Sequence, residues 1–392
     1  MVQYSGLEDW MRRELELYVH VPFCVKKCAY CDFLSAESTA AERRLYVEGL
    51  IREICSCREL AMQYRITTIF FGGGTPSVLS EEEMGEIFGA LSDVFVIDRG
   101  AEITSEINPG TVTREKLERY KMIGINRLSI GLQSVNDDEL KNLGRIHTYK
   151  TFLETYRMVR EVGFANVNVD LISAVPGQTN VSWRRTLQTI LSLEPVPDHI
   201  SAYSLIIEEG TPFYDLYEDP AADIRALPLP DEDEERLIYN ETKSYLTAAG
   251  YKRYEISNYA KSGYECRHNL GYWERKEYLG LGLGASSLLD GERFSNTPDM
   301  AEYLAAPGQV KERQKLSEQE CMEEFMFLGL RKMQGVSKLE WCRQFGCDIE
   351  AVYGLEIEEL IRKRLLEERE GYIRLTEYGI DVSNYVFAEF IR

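Results

Sequence analysis

The chain has 392 residues, 44% hydrophobic and 28% charged, which fits two or three soluble globular domains. Its 65 acidic and 45 basic side chains leave a formal charge of −20, which repels phosphate backbones and argues against nucleic-acid partners. No apolar run approaches the roughly 18 residues of a membrane span, and the opening segment has no basic start or apolar core of a signal peptide. A cytoplasmic location is therefore expected, with room left for peripheral membrane contact. A reducing compartment disfavours disulfides, so the nine cysteines need another explanation. Three of them, Cys24, Cys28 and Cys31, fall within eight residues and point to metal.

Six strand-like segments are predicted in the first half of the chain: 17–22 (LYVHVP), 67–71 (TTIFF), 102–108, 127–132, 166–175 and 199–205. Helical periodicity fills the gaps at 40–64, 80–91, 113–123, 136–143, 148–162 and 181–193, and Ser80 with Glu83 forms a capping box. Six βα units in a row imply a parallel sheet with right-handed crossovers. No GxGxxG follows the first strand, so a curved, partial (β/α)6 TIM-like barrel is expected rather than a Rossmann fold. The repeat weakens after about residue 210. The acidic run 231–235 (DEDEE) reads as a solvated helix start or linker. Segments 251–258 and 278–289 look like further strands with Gly-rich turns. From about Ser317, helices at 318–332, 338–345 and 357–368, a strand at 371–375 and a helix at 378–391 resemble a winged helix. Its local acidity (Glu356, Glu358, Glu359, Glu367, Glu368) favours packing or a lid over DNA binding. The expected division is a core barrel over 1–220, a connecting α/β region over 221–316 and a winged-helix-like domain over 317–392.

The cysteine loop follows the first strand directly, so its thiolates converge above the strand end. Zinc would need a fourth ligand, and His20 would have to turn back to supply one. A four-iron cluster held by three thiolates would keep one iron open. Lys26 and Lys27 partly offset the negative charge. Beyond the loop, the three glycines of 72–76 (GGGTP) let the backbone approach a ligand. Glu106, Gln133 and Asp170 lie on or at the ends of strands. Arg145 follows a helix and suits a carboxylate partner. The carboxyl ends of the strands are the functional face of a βα barrel.

Cys-x3-Cys-x2-Cys after a first strand resembles the radical S-adenosylmethionine (SAM) superfamily. The segments 18–24 (YVHVPFC), 72–76, 129–134 (SIGLQS), 144–147 (GRIH), Glu106 and Asp170-Leu171 are similar to its oxygen-independent coproporphyrinogen III oxidase-like branch. The resemblance implies a [4Fe-4S] cluster on Cys24, Cys28 and Cys31, with the open iron chelated by SAM. It implies SAM contacts by Tyr18, Tyr30, Gly73, Gly74, Thr75, Glu106, Gln133, Arg145 and Asp170, with the region of Ser204 completing an adenine pocket. One-electron reduction then cleaves SAM to methionine and a 5′-deoxyadenosyl radical, so an electron donor such as a flavodoxin or ferredoxin is implied.

Two subfamilies share this scaffold, the decarboxylating oxidase and the HemW-type heme chaperones. The oxidase pattern has a fourth cysteine where this chain has Phe33, and a longer segment before its cluster loop. The stretches 254–258 (YEISN) and 266–273 (CRHNLGYW) resemble the chaperones, in which HNxxYW is associated with heme. His268 could offer an axial nitrogen and Cys266 a thiolate, with Tyr272 and Trp273 against a porphyrin. The expectation is a heme-binding protein that serves apo-hemoproteins; the alternative is an enzyme that decarboxylates tetrapyrrole propionates to vinyl groups. A zinc-stabilised regulatory protein ranks last. His20 and His199 are expected to pack, and Cys55, Cys57, Cys321, Cys342 and Cys347 to be small structural residues.

Overall fold

A computed structural model describes residues 12–218 and 226–392. The first eleven residues and the expected domain boundary at 220/221 lie outside them. Six strands run in chain order as a parallel array: β1 (Arg13–Val21), β2 (Tyr64–Gly73), β3 (Val96–Ile107), β4 (Arg127–Gln133), β5 (Asn166–Ser173) and β6 (His199–Ser204). Side chains alternate across each strand. Leu15, Leu17, Val19, Val21, Ile69, Phe71, Leu128, Ile130, Val167, Val169 and Ile200 face the helices and are fully buried. The opposite face is polar and built in layers by the pairing register. Glu16, Thr68 and Glu102 form one layer; Tyr18, Phe70, Thr104 and Arg127 form the next. Ser129, Asn168 and His199, then Gly131, Asp170 and Ser201, lie above them.

The sheet is curled around that polar face. Glu16 of β1 lies against Gly271, where an added Cβ would meet its carboxylate at 2.0 Å. His199 of β6 bonds the Tyr254 hydroxyl, which accepts from the Cys266 amide at 3.3 Å. Five strand spacings would separate β1 and β6 by about 24 Å if flat. A seven-residue helix, Arg267–Trp273, is only about 10 Å long. Both outer strands reach its ends only because the sheet bends into the expected partial barrel.

The region 226–316 is woven into both edges of this sheet. β7 (Lys252–Arg253) and β8 (Asn258–Ala260) extend it beyond β6, and β9 (Tyr278–Leu281) pairs parallel with β1. β10 (Ser286–Leu289), β11 (Glu292–Asn296) and β12 (Val310–Lys315) continue outward, so twelve described strands form one sheet. Asp231 caps the helix Glu232–Ala248, as the acidic run suggests. Among the described residues, no helix is long and apolar enough to cross a membrane.

Three predicted elements differ. The 40–64 helix ends at Ser56, and a short helix Arg58–Ala61 precedes β2. The 357–368 helix is Ile349–Arg362; Arg364 then adopts φ 61°, and Leu366–Arg369 becomes β14. Pairing with β15 (Tyr372–Leu375) overrides the helical preference of the Glu-rich segment. The last helix breaks at Val382 into Glu377–Asp381 and Ser383–Ala388. With β13 (Val336–Ser337) these strands complete the winged-helix arrangement around Trp341, Tyr353 and Phe390.

One buried carboxylate ties the outer edge to the core. Glu53, on the helix Ala40–Ser56, accepts from the Tyr303 hydroxyl and the Asn296 amide, each at 2.6 Å, and from the Gly282 amide at 2.9 Å. Glu53→Ala should therefore cost on the order of 3–5 kcal/mol by leaving three buried donors unanswered. Urea unfolding of the two proteins measures this; an unchanged midpoint contradicts it.

Candidate functional site

The cysteine loop leaves β1 through Pro22 and is closed at its base. The Cys24 amide donates to Ala36 at 2.9 Å, and the Ala36 amide donates to Pro22 at 2.9 Å. Its middle is held from two sides: the Ala29 amide donates to Leu143, and the Phe213 amide to Ala29, each at 3.1 Å. Cys24, Cys28 and Cys31 are half-buried free thiols. Burial pushes the Cys31 thiol up, and Cys28 and Cys24 add to the effect. Tyr30 packs into a small cluster with Leu143, Ile172, Val175 and Phe213.

A chain of hydrogen bonds joins two of these cysteines. The Cys24 sulfur is 3.4 Å from the Thr75 hydroxyl. Thr75 accepts from Asn108 Nδ2 at 2.8 Å, and Asn108 Oδ1 accepts from Arg145 Nη2 at 2.6 Å. Arg145 Nη1 then donates to the Cys28 sulfur at 3.6 Å, and its Nη2 also reaches the Gly131 carbonyl at 2.7 Å. Sequence reasoning missed Asn108. The signal available was Asn-Pro two residues after Glu106, at a strand end where extended backbone before proline stops the ladder. His147, beside Arg145, bonds the Leu132 carbonyl, and burial lowers its pKa to about 4 with Arg145 adding.

The glycine turn sits directly under the loop. Gly73 has φ 108°, and a Cβ there would meet His20 at 2.5 Å; at Gly74 it would meet the Phe23 carbonyl at 2.6 Å. His20 itself is engaged by the Tyr18 hydroxyl at 3.0 Å and the Leu34 carbonyl at 2.8 Å. Deeper in the hollow, burial pushes Glu106 up to about 8, Asp170 raises it further, and the Gly73 amide opposes the shift. Asp170 accepts from Ser129 at 2.9 Å and Asn168 at 2.7 Å, and burial raises its pKa too. Gln133 follows a bulge with φ 75°. Its amide, Asn108 and Arg145 crowd so closely over Gly131 that a Cβ there would meet all three within 3.2 Å.

Tyr30, Gly73, Gly74, Thr75, Glu106, Gln133, Arg145 and Asp170 thus share one end of the sheet, and Tyr18 lies one layer beneath Glu106. Ser204 does not join them. It shares the helix-facing side of β6 with Ile200 and Ala202, and its hydroxyl donates to Glu235. The inward neighbour is Tyr203, whose hydroxyl is pushed up by burial and by Asp170.

The expected heme stretch lies on the other side of Phe70, inside the barrel. His268 is 1% exposed; Nδ1 is 2.7 Å from the Thr68 hydroxyl and Nε2 3.1 Å from the Tyr272 hydroxyl. Phe70 stacks on its face at 5.1 Å, and burial lowers its pKa to about 3. Cys266 is fully buried, its thiol faces Glu102 at 3.5 Å, and burial raises its pKa to about 12. Trp273 lies under the Arg331 guanidinium at 4.4 Å. Among the described residues, no three His, Cys, Asp or Glu side chains are gathered closely enough to hold a single metal ion.

The Radical SAM superfamily model matches residues 18–190, and the HemN C-terminal domain model matches residues 316–382. A Lactococcus lactis protein named heme chaperone HemW is 36% identical over 376 residues, 95% of this chain and 96% of that one. The chain belongs to the HemW family of radical SAM proteins. HemW of Bacillus subtilis is 35% identical, covering 95% of this chain and 98% of that one; HemW of Escherichia coli is 34% identical, covering 93% and 95%. The structure of the Escherichia coli coproporphyrinogen III oxidase HemN superposes with a TM-score of 0.81 at 21% identity, covering 98% of this chain and 91% of that one. That likeness shows a shared fold.

The floor of the hollow has a titration of its own. Glu16 is 2% exposed, one of its oxygens has no hydrogen-bond partner, and burial raises its pKa from 4.5 to about 8. Between those values the unfolded chain has released the proton that the folded chain keeps. Its contribution to stability is therefore full below about pH 4.5 and is lost as pH rises through about 8. Glu16→Gln should flatten the fall in stability over that range and gain on the order of a few kcal/mol near pH 8. Urea midpoints across the range test it; parallel profiles for the two proteins refute it.

Proposed function

We propose that this HemW-family chain is a heme chaperone that carries a [4Fe-4S] cluster and SAM and passes heme to apo-hemoproteins. The observation that carries it is the near-full-length similarity to proteins named heme chaperone HemW, together with Phe33 at the position where the oxidase pattern places a fourth cysteine.

The donor set fits a cluster with one open iron. Three half-buried thiols share one loop, and Arg145 and Thr75 lie on the Cys28 and Cys24 sulfurs. The cationic Arg145 offsets thiolate charge at that point, and the same guanidinium suits the SAM carboxylate. Glu106, Gln133 and Asp170 offer acceptors to the ribose diol and the SAM ammonium, and Tyr18 and Tyr30 offer aromatic surface to adenine. Burial and Asp170 push the Glu106 carboxyl up to about 8, and a cation bound beside it would favour its ionised form. When bound and reduced, the cluster supplies one electron to the SAM sulfonium, and a flavodoxin or ferredoxin in the cytoplasm is the donor proposed. The acidic chain suits docking with a basic surface.

Anaerobic reconstitution with iron and sulfide should give cluster absorption that Cys24→Ala, Cys28→Ala or Cys31→Ala each abolishes. SAM should change the EPR spectrum of the reduced protein. Hemin should bind without turnover, and coproporphyrinogen III should not be decarboxylated. Decarboxylation would favour the oxidase reading instead, and bound zinc without iron would remove both.

A further inference from the structure

A chaperone must hold its ligand where an acceptor can reach it. The Arg267–Trp273 helix does not offer that. Its histidine has both nitrogens engaged and one ring face covered by Phe70, and its Cys266 thiol points into the barrel at Glu102. An iron ligand needs a free lone pair and open space in front of it.

The opposite end of the sheet offers both space and chemistry. Val25 is 55% exposed, Ile146 59%, and Phe33 and Ile206 67% each. Isolated exposed apolar side chains are ordinary, but these come from three segments tied together at Ala29 by backbone bonds to Leu143 and Phe213. Val25 and Ile146 line one cleft with Lys26 and Arg145. Lys26 and Lys27 are exposed, and neither is ion-paired to a described residue, in a chain whose formal charge is −20. An apolar rim with two exposed lysines, on an otherwise acidic protein, complements a flat apolar ring that carries two carboxylates.

We infer that heme seats on this rim, its ring against the exposed apolar side chains around the cysteine loop and its propionates answered by Lys26 and Lys27. This rests on the heme reading above. His268 is then a packing residue that holds the helix inside the barrel.

The test is titration of the reconstituted protein with hemin and with hemin dimethyl ester, followed by absorbance. Lys26→Glu/Lys27→Glu should raise the Kd for hemin about tenfold and leave that for the diester unchanged. Ile206→Asp lies outside the cysteine loop and should weaken both ligands with full cluster absorption, so it decides if the lysine variant loads its cluster poorly. Leu355→Asp, on a distant and highly exposed helix position, should change neither Kd. His268→Ala should lower the unfolding midpoint and keep the hemin Kd within about twofold. Unchanged hemin affinity in both rim variants, or its loss in His268→Ala alone, overturns the seat while the heme reading stands. A parent protein that takes up no hemin overturns both.

Discussion

The fold depends on burying a charged arginine inside a curled sheet. Arg127 is 1% exposed on the inner face of β4. An isolated cation there would be expensive, and burial does oppose its charge. The Glu102 and Asp170 carboxyls act on it from the same inner face and favour its charge. Its field in turn holds down His199 and His268 after burial has done most of the work, and opposes the upward shift of Glu106 and Asp170. One cation therefore touches both floors of the barrel: the closed floor around the Arg267–Trp273 helix and the open hollow below the cysteine loop.

That division explains why two sets of family motifs behave differently. The residues at the carboxyl ends of the strands face one another around the hollow. Those in the 254–258 and 266–273 stretches are spent on internal bonds. Tyr254 spans His199 and Cys266, Glu102 receives the Arg267 and His268 amides, and Glu16 rests against Gly271. A recurring polar motif is ambiguous in one dimension. Its histidine reads as a ligand until the groups on both ring nitrogens are known.

The strands were legible because apolar alternation on the helix-facing side of β1 to β5 is strong and each strand is followed by a helix. The loop and most of the residues around it were legible from residue type at strand ends. Ser204 was misplaced although strand periodicity contained the answer: with Ile200 outward, Ala202 and Ser204 must also face outward and Tyr203 inward. Asn108 was invisible for a different reason. Its value lies in bridging Thr75 and Arg145, which are far apart in sequence. The 357–368 segment misled because helix preference is local, whereas the β14–β15 pairing that decides it is not.

The C-terminal domain grips the barrel through the same short helix. Glu324, nearly buried, takes Arg275 and Arg293 at 2.6 Å each, and Arg331 covers Trp273. The Met333 amide donates to the Tyr254 carbonyl at 3.0 Å. Arg275 lies two residues beyond the helix that His268 anchors and Arg293 lies on β11, so the domain is attached both to the element that plugs the barrel and to an outer strand of the sheet. A winged helix usually suggests its third helix as the working surface. Here the side facing the barrel carries the buried ion pairs; the third helix presents Leu355, Glu358 and Glu359 outward, and the exposed Arg362 and Lys363 at its end pair with Glu359. The domain's contacts thus favour a packing role that sets the position of the plug and, through it, of Phe70 and Tyr18 beneath the site.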